Sequence, residues 1–269
     1  MEQIKDFPGV VLALETATRS GSIAVLRHGK IIASKSGSAD RTHGERLPTD
    51  IIKLLATLDL TVNDVERYAV AVGPGSFTGL RIGISTIQGL SLVKSVPIVG
   101  VSTLASLAEG VRDADLVGAW LDGQRHQVFS AGYSRFKESN SSPLNRARND
   151  GLSKIITVPR GFSEIEPHSV GSPGEMLICW QKRIVKRHLI LVGDGAERYE
   201  SEAKDRLGPT VRVLPIQRKL AESVGRLSIM ASECQLSAPH ALRPLYVRRP
   251  YTELARNFGR SSEEKTIGS

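Results

Sequence analysis

"VVLALETATRSGSIAVLRHGKIIASKSG" occupies residues 10–37, and its hydropathy pattern decides the fold. Val10–Leu14 is an unbroken apolar run, which reads as a buried strand. The polar turn "ETATRS" ends it, and Gly21–Leu26 resumes as a second strand. His28-Gly29 then makes a hairpin turn before a third strand, Lys30–Ser34. The chain therefore opens on antiparallel strands, which excludes an all-parallel dinucleotide-binding sheet.

Downstream the period changes. Thr42-His43-Gly44-Glu45 has capping-box spacing, with Thr42 as N-cap and Glu45 reaching back from the third helical position. The helix that follows, His43–Leu58, carries Leu47, Ile51, Leu54, Leu55 and Leu58 on one face. Pro48 is expected to bend it or to mark its true start. "YAVAVG" (68–73) is a buried strand that Gly73-Pro74-Gly75 stops. A second helix runs from Phe77 to about Val93, with Leu80, Ile84, Ile87 and Leu90 as its apolar face. Gly79 and Gly83 leave a shallow strip on it where another helix is expected to approach. "VPIVGV" (96–101) is the next strand, and Thr103 to Glu109 begins another helix.

The second half repeats this plan. "LVGAWLDGQRHQVFSAGYSR" (116–135) reads as two strands joined through Asp122-Gly123. Residues 136–175 are rich in Ser, Asn, Pro and Arg and read mostly as loops, apart from "KIITV" (154–158). "LILVGDGAERY" (189–199) is strand, glycine turn and helix, and residues 221–234 are amphipathic. The expected fold class is α/β, with two similar lobes and mixed sheets. The lobes are placed at 1–108 and 109–250, the second made irregular by a polar stretch at 136–188, with a mobile tail at 251–269.

Composition bounds the function. The chain has 269 residues, 40% hydrophobic and 24% charged, as a soluble protein with a sizeable core requires. No apolar run approaches the roughly 18 residues that span a bilayer. The start, "MEQIKDFPGV", lacks a signal-peptide pattern, and the distant Cys179 and Cys234 read as reduced thiols of a cytoplasmic protein. The formal charge is +8, and the basic residues are dispersed. Denser groups are Lys182, Arg183, Lys186 and Arg187, and a tail set of Arg243, Arg248, Arg249, Arg256 and Arg260. They form either a solvated surface or one that attracts RNA phosphates. Aromatics are 5%, which argues against base stacking as a main binding mode.

Three polar turns follow strand ends, where ligands collect in α/β proteins. Thr16, Thr18, Ser20 and Gly21 are candidates to face phosphate oxygens. Glu15 and Asp122 are candidates to hold a hydrated Mg²⁺. Gly193, Asp194 and Gly195 form the turn through which backbone would approach a base or ribose. "VGPGSFTGLR" (72–81) lacks the Lys of a Walker loop, so Ser76 and the helix start after it are either an anion site or a structural elbow. No Ser-His-Asp or Cys-His set can be assigned, and no two of the six His stand at helical spacing, so a protein-ligated transition metal is not expected.

"LALETATRSGSIAVL", "THGERL", "VAVGPGSFTGLRIGISTIQGL", "VPIVGVSTLASLA" and "LDGQRHQVFSAGY" together resemble the TsaB (YeaZ) family, as do "LVGDGAERY" and "PLYVRRP". The resemblance is dense over 10–133, thin from 136 to 188, and patchy to about 250. It implies an ASKHA (actin/Hsp70-like) fold and a role in forming threonylcarbamoyladenosine at position 37 of tRNAs that read codons beginning with A. The catalytic relative TsaD carries "VGVNHxxxH" where this chain has "VGVSTLASL", so its two imidazoles become Thr103 and Leu107. The resemblance thus implies a non-catalytic partner subunit, requiring no cofactor of its own, with no catalytic residue and no metal. ATP or ADP and Mg²⁺ belong to the complex. TsaD would form the heterodimer, TsaC would supply threonylcarbamoyl-adenylate, TsaE would join a larger assembly, and tRNA would be met through the complex. A homodimer is open when the chain is alone, and no membrane is involved. The implied partner surface comprises His43, Glu45, Leu47, Ile51, Leu54, Gly73, Pro74, Gly75, Ser76, Phe77, Thr78, Gly79, Leu80, Arg81 and Gly83. Glu15, Thr16, Thr18, Asp122, Gly193, Asp194 and Gly195 would form a degenerate nucleotide site. The alternative is an autonomous ASKHA phosphotransferase using Glu15 and Asp122 with Mg²⁺-ATP.

Overall fold

A computed structural model of the chain describes residues 7–38, 42–136, 154–181, 183–184, 187–209 and 211–247. The tail at 251–269, Lys182, Lys186, Arg248 and Arg249 lie outside the described residues. The first pass through the fold is β1 (Val10–Glu15), β2 (Ser22–Arg27), β3 (Lys30–Ser36), α1 (His43–Ala56), β4 (Arg67–Gly73), α2 (Phe77–Leu92), β5 (Ile98–Ser102) and α3 (Thr103–Glu109). The second pass begins with β6 (Leu116–Gln124), β7 (Gln127–Arg135), β8 (Ile155–Ile156), β9 (Phe162–Gly171) and α4 (Pro173–Gln181). It continues with β10 (Leu189–Val192), α5 (Asp194–Arg198), α6 (Glu200–Leu207), β11 (Arg212–Leu214), α7 (Leu220–Ile229) and β12 (Leu236–Ser237).

Each pass supplies the main strands of one mixed sheet, and β8 and β12 of the second pass return to the first sheet. The first runs β12-β5-β4-β1-β2-β3, with β8 also on β5, and the second runs β11-β10-β6-β7-β9. In both, an antiparallel hairpin pairs along one edge of a parallel set: β1 on β4, and β6 on β10. β1 and β4 are buried along their whole length, which is why they read as apolar runs rather than alternating ones. This is the two-lobed actin-like plan.

The helices form layers around the sheets. α1 and α2 cover one face of the first sheet, where Leu47, Ile51, Ile84 and Ile87 meet Leu12, Leu14 and Val70. α3 and α7 fill the space between the sheets. There Leu104, Leu107, Val224 and Leu227 join Val11, Ala71 and Val99 to Val117, Ala119 and Tyr133. The two lobes therefore share one continuous core. On the far side α4 and α6 bury Leu177, Trp180 and Leu207 against Leu116, Trp120 and Leu191. Each fully buried aliphatic or aromatic side chain contributes about 1.5–3 kcal/mol, and these clusters hold dozens.

Several expectations are corrected. Pro48 does not mark the start of α1, which begins at the Thr42 cap as the capping-box spacing predicts: the Glu45 amide donates to Thr42 Oγ1 at 3.4 Å, and the Thr42 amide donates to Glu45 Oε2 at 2.9 Å. Asp122-Gly123 is not the hairpin turn. Both lie in β6, the ladder shifts register beside them, and the chain reverses through Arg125 and His126 at φ 50° and 56°. The stretch 136–175, read mostly as loops, contains β9 and opens α4. β9 is an edge strand, half-buried along most of its length, so it carries no clear alternation and tolerates Pro167. Ser172 caps α4 in another Ser-x-x-Glu box, accepting from the Glu175 amide at 3.3 Å. α7 packs on β1 and β2, β12 pairs with β5, and the Leu245 amide donates to the Val72 carbonyl at 2.7 Å, so the chain returns to the first lobe.

Candidate functional site

Two turns and the C-terminal segment meet at the start of α2. The turn Gly73-Pro74-Gly75 launches α2, with Gly73 at φ 116°, a conformation that favours glycine. A Cβ there would lie 2.9 Å from the Leu245 carbonyl oxygen, so the C-terminal segment needs this glycine as much as the turn does. Ser76 caps α2 by accepting from the Gly79 amide at 3.2 Å. The Ser76 amide donates to the Ala17 carbonyl at 2.8 Å, tying the start of α2 to the β1–β2 turn. These contacts fix the direction in which α2 leaves β4.

The residues named for a partner surface divide by burial. His43, Leu47, Ile51, Leu54, Gly73, Pro74, Gly79, Leu80 and Gly83 are buried within this chain. Gly75 is half-buried, while Glu45, Ser76, Phe77, Thr78 and Arg81 are exposed. Gly79 and Gly83 do not leave a strip for an approaching helix. A Cβ on Gly79 would lie 2.1 Å from the Thr16 carbonyl oxygen, and one on Gly83 would lie 2.2 Å from Thr16 Oγ1. Their absent side chains make room for the β1–β2 turn of the same molecule.

The outward stripe of α2 is a different set. Phe77, Arg81, Ser85 and Gly89 stand four apart and are all exposed, and Leu92 and Val93 end the stripe at 68% and 70% exposure. A Cβ on Gly89 would meet nothing within 4 Å, so the middle of this stripe is low. On α1, Gly44, Pro48, Ile52 and Ala56 face outward, Ile52 at 62%. At the α2 start the Arg81 guanidinium lies 4.0 Å from the Phe77 ring centre, and Tyr246 stacks 5.5 Å away at a tilt. Arg81 Nε also donates to the Tyr246 hydroxyl at 3.4 Å. Large apolar and Arg/aromatic groups flanking small residues are the make-up of a protein-binding face.

Of the residues expected around a nucleotide, Glu15, Thr18, Asp122 and Asp194 have protein partners, while the Thr16 hydroxyl is buried without one. Glu15 is buried, and its carboxylate accepts from the Thr18 amide at 2.7 Å and the Thr18 hydroxyl at 2.9 Å. Burial pushes the Glu15 carboxyl above its ordinary range, against the pull of those bonds. Asp122 pairs with Arg198 at 2.6 Å, and its amide donates to Asp194 at 2.9 Å. A Cβ on Gly193 would lie 2.1 Å from the Trp120 carbonyl oxygen, and one on Gly195 would lie 2.8 Å from the Leu121 carbonyl carbon. These glycines admit strand β6, not a base. Glu15 is thus engaged within its own turn, and Asp122 is held between β6 and α5. Thr103 and Leu107 are fully buried. Among the described residues no three His, Cys, Asp or Glu side chains group as metal ligands. No described helix is long and apolar enough to cross a membrane.

One constellation escaped the sequence. Ser102 Oγ lies 2.6 Å from His168 Nε2, and His168 Nδ1 lies 3.2 Å from Glu164 Oε1. The order imitates a catalytic triad. Ser102 is fully buried and the imidazole is 5% exposed, so no peptide can reach the hydroxyl. Beside it, burial and then the Glu164 charge push the Tyr133 phenol well up, and its hydroxyl donates to the Thr157 carbonyl at 3.2 Å. The cluster links the β5–α3 corner to β7 and β9. Ser102 and His168 are 66 positions apart, and no local pattern announces their meeting.

The family described as "TsaD: tRNA N6-adenosine threonylcarbamoyltransferase" matches residues 30–165. The "tRNA threonylcarbamoyladenosine biosynthesis protein TsaB" of Haemophilus influenzae is 34% identical over 185 residues, covering 60% of this chain and 78% of that protein. The protein of the same name from Buchnera aphidicola is 38% identical over 193 residues, covering 72% of this chain and 82% of its own. For the Escherichia coli protein of that name, identity is 37% over 128 residues, and the matched stretch spans 55% of its length. Among solved structures, YeaZ from Pseudomonas aeruginosa superposes with a TM-score of 0.66 at 21% identity, covering 88% of this chain and 99% of that one. That likeness establishes a shared fold.

Proposed function

This chain belongs to the TsaB family, and from that premise we propose that it is a non-catalytic subunit of the machinery that forms threonylcarbamoyladenosine on tRNA. Its partner is a TsaD-type transferase, which supplies the metal and the chemistry. The observation that carries this reading is the face of α1 and α2. Ile52, Phe77, Leu92 and Val93 are 51–70% exposed there, around the low ridge of Ser85 and Gly89. Large apolar groups at that exposure form a patch that a second protein covers. The buried Thr103 and Leu107 favour a supporting role over catalysis, since neither side chain is a ligand for a transition metal.

The reading places the chain in the cytoplasm with the tRNA, and leaves nucleotide and Mg²⁺ to other members of the complex. Glu15 and Asp122, already engaged with Thr18 and Arg198, argue against an autonomous phosphotransferase. The test is reconstitution of tRNA modification from purified components with this chain present or withheld. Modification that depends on the chain, while the chain alone modifies nothing, is the expected result. Equal modification without it would overturn the proposal.

A further inference from the structure

His43, named from the sequence as a surface residue, is buried between α1 and the β1–β2 turn. Its Nε2 lies 3.1 Å from the Thr18 carbonyl oxygen, an acceptor, so Nε2 must carry the proton. Its Nδ1 lies 2.8 Å from Nη2 of Arg46, and a guanidinium only donates, so Nδ1 must be unprotonated. The two contacts fix one neutral tautomer. Arg46, 5% exposed, also donates from Nη2 to the Ser20 carbonyl and from Nη1 to Asp50 Oδ2 at 3.2 Å. Asp50 is shared with Lys35 of β3 at 2.6 Å. Gly37 and Gly21 make room for this assembly. A Cβ on Gly37 would fall 1.9 Å from the Arg46 guanidinium carbon, and one on Gly21 would fall 2.7 Å from the His43 ring.

We infer that His43 and Arg46 form a proton-sensitive latch that holds the turn at 15–22 against the helix pair α1/α2. The charged groups around the imidazole are Arg46 on its own helix, then Asp50 and Lys35 behind it, while across Gly21 the β1–β2 turn presents the Glu15 backbone carbonyl. Adding a proton at Nδ1 sets N–H against N–H at 2.8 Å and places a second positive charge beside Arg46 in a buried setting. The start of α1 adds the positive end of its dipole. Burial first, then the Arg46 charge, holds the imidazole below its ordinary value. The native chain therefore binds fewer protons here than the unfolded chain. The latch is complete above about pH 6.5 and is lost as pH falls through the depressed native value.

The consequence reaches the helix face because Thr16, in the same turn, fills the hollow of Gly79 and Gly83 on α2. A loosened turn leaves α2 without the group that seats it. That second half rests on the partner reading given above; the latch itself does not.

The latch is tested by hydrogen exchange on the whole chain at about pH 7.5 and about pH 5.5, corrected for intrinsic rates and referenced to β6. Protection of peptides spanning 15–22 is expected to fall by about tenfold at the lower pH. His43→Gln keeps a donor and an acceptor without titrating, so its protection should stay level between the two pH values. Nitrogen-15 spectra of the wild-type ring should show the proton on Nε2, a readout that needs no variant to fold. A proton on Nδ1, or wild-type protection that does not change with pH, overturns the latch. In parallel, affinity for the TsaD-type partner should fall with pH in the wild type and hold in His43→Gln. A pH-independent affinity, with Leu92→Asp still weakening binding by about tenfold or more, removes the coupling and leaves the partner reading intact. If Leu92→Asp binds normally, the partner reading fails, and the exchange data alone judge the latch.

Discussion

The two repeats of this fold place a helix pair on the outside of each sheet, and they finish those pairs differently. On the first sheet, α1 and α2 expose Ile52, Phe77, Leu92 and Val93. On the second, α4 and α6 are dressed with ion pairs: Lys204 with Glu200 at 2.6 Å, Arg206 with Glu202 at 4.0 Å, and Arg183, just beyond α4, with Glu166 at 2.6 Å. Ile178 is the exposed large apolar residue of that side among the described residues. One plan thus yields a face covered by ion pairs and a face that leaves large apolar groups exposed. The architecture is common to both repeats, so function must be sought where they differ.

Substitutions can break this contrast at several levels. The largest effect is expected from Gly79→Glu, whose Cβ would fall 2.1 Å from the Thr16 carbonyl. Overpacking against backbone should cost about 3 kcal/mol or more, seen as a lower midpoint in urea unfolding, before any partner is added. Leu92→Asp is next. Stability should stay within about 0.5 kcal/mol, because the site is exposed, while titration calorimetry shows partner affinity weakened about tenfold or more. Ile178→Asp on the second repeat is the matched control, with affinity unchanged. Ser102→Ala removes both the α3 cap and the bond to His168, and should lower stability by about 1–2 kcal/mol without altering binding to the outer face. Asp122→Ala should be the mildest. Its pair with Arg198 is solvent-facing, so about 0–1 kcal/mol is expected in the same unfolding assay. Measurable ATP binding by the isolated chain that this change abolishes would restore the phosphotransferase reading.

Legibility followed the same divide. The first repeat announced itself because β1 and β4 are buried on both faces and read as apolar runs, and because Thr42 and Glu45 satisfy a cap within four residues. In the second repeat the Ser172-x-x-Glu175 box was equally present but stood among Ser, Pro and Asn, and β9 offered neither a run nor an alternation. Site residues were harder for a different reason. Burial of Leu47 and Ile51 against Leu12 follows from helical period, yet nothing in the spacing of Gly79 and Gly83 says which backbone will lie in their hollow. Helix periodicity identifies a face; it does not tell inward from outward when both sides carry small or apolar groups. Ser85 and Gly89, the glycine-containing ridge that does face solvent, were therefore passed over for the pair that does not.

The outer edge of β5 is shared by two short strands that arrive late: β12 pairs at Ile98 and Val99, and β8 at Gly100 and Val101. Leu242 then closes over the same edge, its Cδ1 sitting 2.8 Å from where a Cβ on Gly100 would be. A chain emerging from the ribosome has made all five principal strands of that sheet by residue 102 but cannot seal it until residue 242 has been synthesised. Through most of translation the half-built sheet therefore carries an open hydrogen-bonding rim, because the end of the polypeptide is woven into its beginning.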